Sequence, residues 1–126
     1  MINGAHVLLY SPDPEADRAF FRDVLKFPAV DAGRGWLIFA LPPAEVAVHP
    51  ADGNPGLRHG GHNLLGTVLY LMCDDLRSTI ESLAAQGVPA TEIEEAPWGI
   101  KTTLRLPSGG ELGLYQPMHP TALGLR

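Results

Sequence analysis

Apolar and polar positions at the start of the chain predict a short strand followed by an amphipathic helix. Residues 6–10 are apolar and rich in β-forming types, which is typical of a strand. Asp13 can cap a helix with Pro14 in its first turn, where the missing N–H costs nothing. Phe20 and Phe21 fall on the apolar stripe that such a helix would bury.

The same order of elements returns in the second half of the chain. Residues 66–88 resemble residues 4–27, with a strand predicted over 68–72 and Asp74 or Asp75 as the cap of the next helix. That helix would carry Leu76, Ile80, Leu83 and Ala84 at helical spacing and end at Gly87. A duplicated module is the simplest interpretation of this self-similarity.

Short β-forming runs, and no further long helix, follow each predicted helix. They cover residues 36–41 and 45–49 after a short strand near Val30, and then residues 91–94, 100–106 and 111–116. The order is therefore β-α-β-β-β, twice, in a single α+β domain with modules at about 4–50 and 66–117. Residues 51–65 are rich in Gly, Pro and His and predict a mobile linker.

Composition narrows the classes of partner. The chain has 126 residues, of which 45% are hydrophobic and 18% charged, so one domain with a buried core is expected. The net charge of −5 argues against nucleic acid and anionic membranes as partners. The single Cys73 excludes an internal disulfide. Without an apolar run long enough for a membrane span or a basic leader, we expect a cytoplasmic protein.

Three local motifs carry a resemblance to a known family. They are D-x-x-x-x-x-x-F-F-x-D-V-L-x-F at 13–27, C-D-D-L at 73–76 and L-P-S-G-G-E-L-G-L-Y-Q-P at 106–117. With the doubled βαβββ module, they make the chain resemble the vicinal oxygen chelate superfamily of glyoxalases, bleomycin-resistance proteins and extradiol dioxygenases, in particular its small bacterial dioxygenase-like members. The resemblance implies two modules that form an open, cavity-containing barrel. We also expect a homodimer, because a second copy would cover exposed strand edges.

The resemblance also implies where a metal would bind. Enzymes of that superfamily hold one divalent metal with side chains from the first and last strands of each module, which correspond here to His6, Ala47, Val68 and Gly113. Only His6 is a metal ligand type, and a two-residue shift would replace Ala47 by Glu45 or His49. We therefore expect no cofactor. A site for Fe, Mn, Ni or Zn built from His6, Glu45 and Glu111 remains the alternative.

The residue types expected in the cavity favour a flat or aromatic ligand. Ala47 and Gly113 stand where the enzymes carry carboxylates, so they are expected to leave empty volume. Aromatic side chains add contact area and polar tips, although ordinary packing would explain them equally well. The predicted ligand-binding residues are Tyr10, Trp36, Ala47, His49, Tyr70, Met72, Trp98, Gly113 and Tyr115.

Candidate catalytic groups are few. His6 and Glu111 are the candidates for acid–base work, although His6 also fits a hydrogen-bonded core histidine and Glu111 a solvated strand end. His59 and His62 are two isolated histidines in the predicted linker, too few for a metal site. Cys73 is expected to be a buried small side chain. None of these completes a recognised catalytic motif.

Two functions remain open from the sequence. The first is a protein that binds a small organic molecule in the cavity between the modules, without a complete metal site. The second is a divalent-metal-dependent lyase, isomerase or dioxygenase, that is, a glyoxalase- or dioxygenase-like enzyme. The missing metal ligands favour the first, and the sequence leaves the identity of the ligand open.

Overall fold

The computed structural model describes residues 4–51, 53 and 56–125, which form two compact units. Unit 1 comprises residues 4–41 and 105–111, and unit 2 comprises residues 42–104 and 112–125. Each unit is therefore assembled from two separate stretches of the chain.

The elements give an α+β fold, as the sequence predicts, with open sheets and no closed barrel among the described residues. In chain order they are α1 Pro14–Asp23, β1 Ala29–Asp31, β2 Leu37–Phe39, β3 Gly56–His59, β4 His62–Leu65, β5 Tyr70–Met72, α2 Leu76–Ala84, β6 Glu94–Ala96, β7 Gly99–Arg105 and β8 Glu111–Pro117. Strands β1 and β2 pair antiparallel, as do β3 and β4, and the third sheet has the order β5-β8-β7-β6. Neither described helix is long and apolar enough to cross a membrane.

Helix α1 begins and ends as local chemistry dictates. The Asp13 carboxylate accepts a hydrogen bond from Ala16 N at 3.2 Å, which confirms the predicted cap next to Pro14. At the other end Lys26 adopts φ +61°, and Phe27 N donates to Phe21 O at 3.1 Å. A residue in the left-handed region is the usual way to terminate a helix, although glycine is the common choice there.

The core of unit 1 is aromatic. Phe20 and Phe21 are buried as predicted, and the Phe21 ring lies 5.9 Å from Phe27 and 5.6 Å from Phe39 of strand β2. Leu106, from the second stretch of the unit, is also buried. Helix α1 thus presents the apolar face that the periodicity predicts.

A buried carboxylate ties helix α1 to the turn between β7 and β8. Asp17 accepts a hydrogen bond from Ser11 Oγ at 2.6 Å and another from Ser108 N at 3.1 Å. Both donors compensate the carboxylate for lost water, which is the condition for burying a charged group. Asp17 was not among the residues predicted to be buried or functional from the sequence.

Helix α2 is capped at both ends. Asp75 accepts from Ser78 N at 3.1 Å, so Asp75 and not its neighbour is the cap. Gly87 has φ +81°, and Val88 N donates to Leu83 O at 3.0 Å, which is the hydrogen bond of a Schellman motif. The predicted stop at Gly87 is confirmed.

The four-stranded sheet of unit 2 separates a core face from a more open face. In β7 the side chains of Thr102 and Leu104 are fully buried, whereas Lys101 and Thr103, which alternate with them along the strand, are half-buried. The buried apolar residues of the unit are Leu76, Leu83, Val88, Leu104, Leu112 and Leu114. The second predicted module therefore forms with its order β-α-β-β-β, although its second strand is Glu94–Ala96 and not 91–94.

Two strands predicted in the first module are absent. Residues 6–10 and 45–49 lie outside every strand, and Val46 and Val48 are more than nine-tenths exposed. Strand formation depends on pairing across a sheet, and an apolar segment does not specify that pairing by itself. The predictions of these two strands are wrong.

A hairpin stands where the sequence predicts a linker. Strands β3 and β4 pair antiparallel with His59 opposite His62, around a turn in which Gly60 and Gly61 have φ +58° and +81°. Positive φ at both turn positions is the geometry of a two-residue type I′ turn, which Gly-Gly favours. The Gly-Gly pair was the signal for this hairpin.

Candidate functional site

Aromatic side chains gather on the open face of the unit 2 sheet. Tyr70 of β5, Trp98 before β7 and Tyr115 of β8 lie in mutual contact through the Tyr115 ring, and we call these three residues the aromatic cluster. Strands β5 and β8 run parallel with Tyr70 opposite Gly113 and Met72 opposite Tyr115. This register places the tyrosines on one face, because side chains alternate along a strand.

The rings meet edge to face. The centroid of Tyr115 is 5.6 Å from that of Tyr70, at an interplanar angle of 89°, and 5.7 Å from that of Trp98, at 78°. This arrangement directs the positive edge of one ring at the negative face of the next, and each such pair contributes about 0.5–1.5 kcal/mol beyond burial. Trp98 keeps 42% of its surface exposed. The cluster is therefore ordered and also open to a ligand.

A histidine extends the cluster beyond strand β8. The His119 ring stacks on Tyr115 at 6.1 Å and 29°, and its Nε2 lies 3.3 Å from the Tyr115 hydroxyl. Its Nδ1 lies 2.8 Å from the carbonyl oxygen of Pro120, which can only accept, so Nδ1 carries the proton. In the neutral ring Nε2 then accepts from the Tyr115 hydroxyl. His119 was not among the predicted site residues, and no sequence motif marks it.

The Tyr115 hydroxyl is held in its neutral form. Burial, and secondarily the nearby Glu45 carboxylate, raise the pKa of Tyr115 above its ordinary value of 10.0. Glu45 itself is half-buried and accepts a hydrogen bond from Ala122 N at 2.7 Å. At neutral pH the phenol is therefore a hydrogen-bond donor and not a base.

A cation lies beside the aromatic cluster. The Lys101 ammonium is 5.8 Å from the Tyr70 ring centroid and 5.6 Å from that of Trp98, within the range of cation–π attraction. Lys101 was likewise not among the predicted site residues. The alternation of side chains along β7 could have indicated it, because Lys101 lies on the opposite face of the sheet from the buried Thr102 and Leu104.

Gly113 does not leave the open volume expected of it. Gly113 is buried, and a Cβ atom added there would meet the Tyr70 ring, with Cε1 at 2.6 Å and Cγ at 2.8 Å. The expectation of empty space at this position is wrong, because the neighbouring tyrosine fills it. Gly113 instead allows the Tyr70 ring to approach strand β8 closely.

Three further predicted ligand-binding residues of unit 2 lie outside the aromatic cluster. Met72 is half-buried, in register with Tyr115. Ala47 and His49 are exposed and lie outside every strand, and His49 Nδ1 is 2.7 Å from Pro50 O. The structure thus brings together Tyr70, Trp98 and Tyr115 from the predicted set.

The other predicted site residues belong to unit 1. His6, Tyr10 and Glu111 are exposed, and Trp36 is 56% exposed. The Arg18 guanidinium carbon lies 4.7 Å from the centroid of the Trp36 ring, so this tryptophan packs against a cation of helix α1.

Cys73 and the histidines His59 and His62 lie outside the aromatic cluster. Burial, together with the carboxylates of Asp74 and Asp75, raises the pKa of the Cys73 thiol above 9.0. A neutral thiol is a poor nucleophile. His59 and His62 are exposed across the hairpin β3–β4.

The four metal positions that the resemblance implies do not supply a complete set of ligands. Three of the four positions implied by the resemblance, Ala47, Val68 and Gly113, lack a coordinating side chain. Among residues 4–51, 53 and 56–125, no group of three or more His, Cys, Asp or Glu side chains is arranged to hold one.

Unit 1 contains an apolar groove beside the ribbon of β1 and β2. It has a volume of about 330 Å³, and its lining residues are Pro28, Ala29, Val30, Ile38, Phe39 and Ala40. It includes none of the predicted site residues and no polar side chain that would orient a ligand.

Solved structures with this fold include proteins of different activity. TnmS3, an antibiotic binding protein from Streptomyces sp. CB03234, is similar with a TM-score of 0.58 and 24% identity, covering 93% of this chain and 99% of its own. A lactoylglutathione lyase from Agrobacterium tumefaciens is similar with a TM-score of 0.59 and 22% identity, covering 90% of this chain and 92% of its own. A member of the Glyoxalase/bleomycin resistance protein/dioxygenase superfamily from Sphaerobacter thermophilus DSM 20745 is similar with a TM-score of 0.57 and 20% identity, covering 91% of this chain and 98% of its own.

No match was found among curated proteins. The family model of the Glyoxalase/Bleomycin resistance protein/Dioxygenase superfamily, in contrast, matches residues 4–109. This range includes both helices, the motifs at 13–27 and 73–76, and the start of the motif at 106–117. The resemblance drawn from the motifs is confirmed. The chain belongs to the Glyoxalase/Bleomycin resistance protein/Dioxygenase superfamily.

Proposed function

We propose that this protein binds a small organic molecule with an aromatic ring, and that the aromatic cluster of unit 2 holds it without a complete metal site. The observation that carries the proposal is the meeting of Tyr70, Trp98 and Tyr115 on one sheet face, with Trp98 42% exposed. Aromatic side chains in contact give a ligand large apolar area, and their polar tips give it orientation.

The order of the cluster supports binding. Tyr115 is fixed between two rings and by its hydrogen bond to His119, so little side-chain freedom is lost when a ligand arrives. A preorganised surface binds more tightly than a mobile one of equal area. The neutral Tyr115 hydroxyl can also rotate to donate to a ligand oxygen.

The comparisons support a binding protein at the level of analogy. TnmS3 is an antibiotic binding protein, and it shares this fold over nearly the whole chain. The lactoylglutathione lyase shares the fold to the same extent, so the fold alone does not decide between binding and catalysis. The missing metal ligands favour binding.

The experiment uses the two tryptophans as separate reporters. The indole N–H signals of Trp36 and Trp98 are assigned in NMR spectra with Trp36→Phe and Trp98→Phe variants. Aromatic and polyketide-like compounds are screened by melting shift, and each hit is titrated. We expect the Trp98 signal to shift in a saturable way, and Trp98→Ala to weaken binding by roughly tenfold or more.

The outcomes separate this proposal from its alternatives. A ligand that shifts only the Trp36 signal, and is lost in Trp36→Ala, would place binding in unit 1 and overturn the proposal. Binding that disappears after dialysis against EDTA and returns with Fe, Mn, Ni or Zn would support the metal-dependent enzyme instead. A screen of several hundred aromatic compounds without any hit would also count against the proposed function.

A further inference from the structure

We infer that the ligand of the aromatic cluster carries an anionic oxygen group, a carboxylate or an ionised phenol, and that Lys101 binds it. This inference rests on the proposed function, since it names the charge of the molecule that the cluster holds. It adds a recognition element to the aromatic contacts and restricts the class of compound.

The position of the Lys101 ammonium carries the inference. Lys101 projects from β7 on the open face of the sheet, and its Nζ lies 5.6 Å from the Trp98 centroid and 5.8 Å from the Tyr70 centroid. A planar ligand in contact with either ring would have its edge near this ammonium. A lysine ammonium provides three donors and no acceptor, so it selects acceptor groups, and it binds charged ones best.

The charge on Lys101 is not neutralised by an ion pair with any described residue. Glu94 is its cross-strand neighbour in the pairing of β6 with β7, yet no ion pair joins them, and the ammonium lies over the rings instead. The two ring faces compensate a cation only in part. An arriving anion would complete the compensation, in a protein whose net charge of −5 otherwise repels anions.

The carboxylate of Glu45 gives the cluster a polarity. It acts on Tyr115, where it contributes to the raised pKa of the phenol. Lys101 lies at the end formed by Tyr70 and Trp98. The anionic group of the ligand is therefore expected at Lys101 and away from the Glu45 carboxylate, because like charges repel.

A purely structural role for Lys101 is the competing explanation. The ammonium would then serve to hold the Tyr70 and Trp98 rings in place, and any aromatic molecule would bind equally well whatever its charge. The two explanations differ in charge selectivity, which a matched set of probes measures directly.

The probes are 2-naphthoate, 2-naphthamide and 2-naphthylmethylammonium, which share one ring system and differ in charge. Their dissociation constants are measured on the full chain by calorimetry and by the Trp98 indole signal. We expect 2-naphthoate to bind about threefold to tenfold more tightly than 2-naphthamide, and the ammonium probe to bind most weakly. The preference for 2-naphthoate should decrease as salt is added.

Variants assign the preference to one side chain. Lys101→Met keeps the length of the side chain and removes the charge, so the preference for 2-naphthoate over 2-naphthamide should vanish, and Lys101→Arg should largely keep it. The matched control is Lys26→Met, which makes the same change in net charge at an exposed residue of unit 1 and should leave the preference intact.

Each remaining outcome counts against a definite statement. Equal binding of the three probes overturns the inference on charge and leaves the proposed function standing. Absence of binding by all three, when the screen also yields no hit, overturns both. A preference for 2-naphthoate that persists in Lys101→Met, or that disappears in Lys26→Met, overturns the assignment to Lys101.

Discussion

The close packing of Tyr70 on Gly113 predicts that the mildest possible substitution there is harmful. In Gly113→Ala the new Cβ would overlap one whole edge of the Tyr70 ring, since Cε1 is at 2.6 Å and Cγ at 2.8 Å. The contact involves the base of the ring as well as its far edge, so a small tilt of the tip does not relieve it. The ring must leave its place beside Tyr115 and Lys101.

The expected loss in the free energy of unfolding follows from the contacts that Tyr70 would lose. The edge-to-face pair with Tyr115 contributes about 0.5–1.5 kcal/mol and the cation–π contact with Lys101 about 0.5–1 kcal/mol. Replacing glycine by alanine in an ordinary strand returns about 0.4–1 kcal/mol through the unfolded chain. The net effect expected for Gly113→Ala is a loss of about 1 kcal/mol in the free energy of unfolding, within a range of roughly 0–2 kcal/mol, and a fall in Tm of roughly 3–6 °C.

Urea unfolding and thermal melting measure the effect, with Gly110→Ala as the matched control. Gly110 has ordinary backbone geometry and meets only Ser108 Oγ, at 3.4 Å, so its substitution should change stability by less than about 0.5 kcal/mol. In a Tyr70→Ala background, Gly113→Ala should cost nothing, because the clashing ring is gone. Equal losses with and without the Tyr70 ring would refute the reasoning.

Four further predictions concern stability, reactivity, metal and assembly. Asp17→Ala should lower the free energy of unfolding by about 1–3 kcal/mol in urea titrations, because it removes the acceptor of the half-buried Ser11 and Ser108 donors, whereas the exposed Asp23→Ala should cost less than about 0.5 kcal/mol. Iodoacetamide should label Cys73 slowly at pH 7 and faster as the pH rises through the raised pKa of the thiol, so rapid labelling at pH 7 would contradict the prediction. Because the fold favours the neutral thiol, the free energy of unfolding should also fall as the pH rises over that range. Elemental analysis of protein purified without chelators should find no stoichiometric metal, and one metal per chain that is lost in His6→Ala would refute that expectation. Light scattering at micromolar concentration should give twice the chain mass of 13.5 kDa, and the mass of a single chain would count against a homodimer.

The sequence specified what depends on local chemistry. The caps at Asp13 and Asp75, the stop at Gly87 and the buried pair of Phe20 and Phe21 each follow from side chains within one or two helical turns. Such interactions repeat in many proteins with the same residue types, which is why they can be inferred without a structure.

Features that depend on pairing between distant segments were harder to infer. The strand predicted at 6–10 satisfies every local criterion and is absent, whereas the hairpin around Gly60 and Gly61 arises in a segment that composition marks as a linker. Gly113 was interpreted from its own small size, but the ring that fills its space comes from Tyr70 on another strand. Period and composition describe one segment, and sheet register requires two.

The same limit applied to the candidate site. Tyr70, Trp98 and Tyr115 were inferred as aromatic types suited to a ligand, and the structure brings those three into contact. Lys101 is identified as a site residue only by the rings beside it, and His119 only by its hydrogen bond to Tyr115. Neither relation is visible in the spacing of residues along the chain.

The divided origin of unit 1 has a consequence for the order of folding during synthesis. Helix α1 belongs to the first stretch of the unit, but the Ser108 N–H that Asp17 binds lies 91 residues further along the chain. At about 5–20 residues per second, the ribosome delivers that donor several seconds after the helix has emerged. Until then the Asp17 carboxylate stays hydrated, and Leu106, a buried residue of unit 1, has not been made. Unit 1 therefore completes its fold late, although its first half is made early, and pulse proteolysis of stalled nascent chains should show protection of α1 only once residues 105–111 are outside the ribosome.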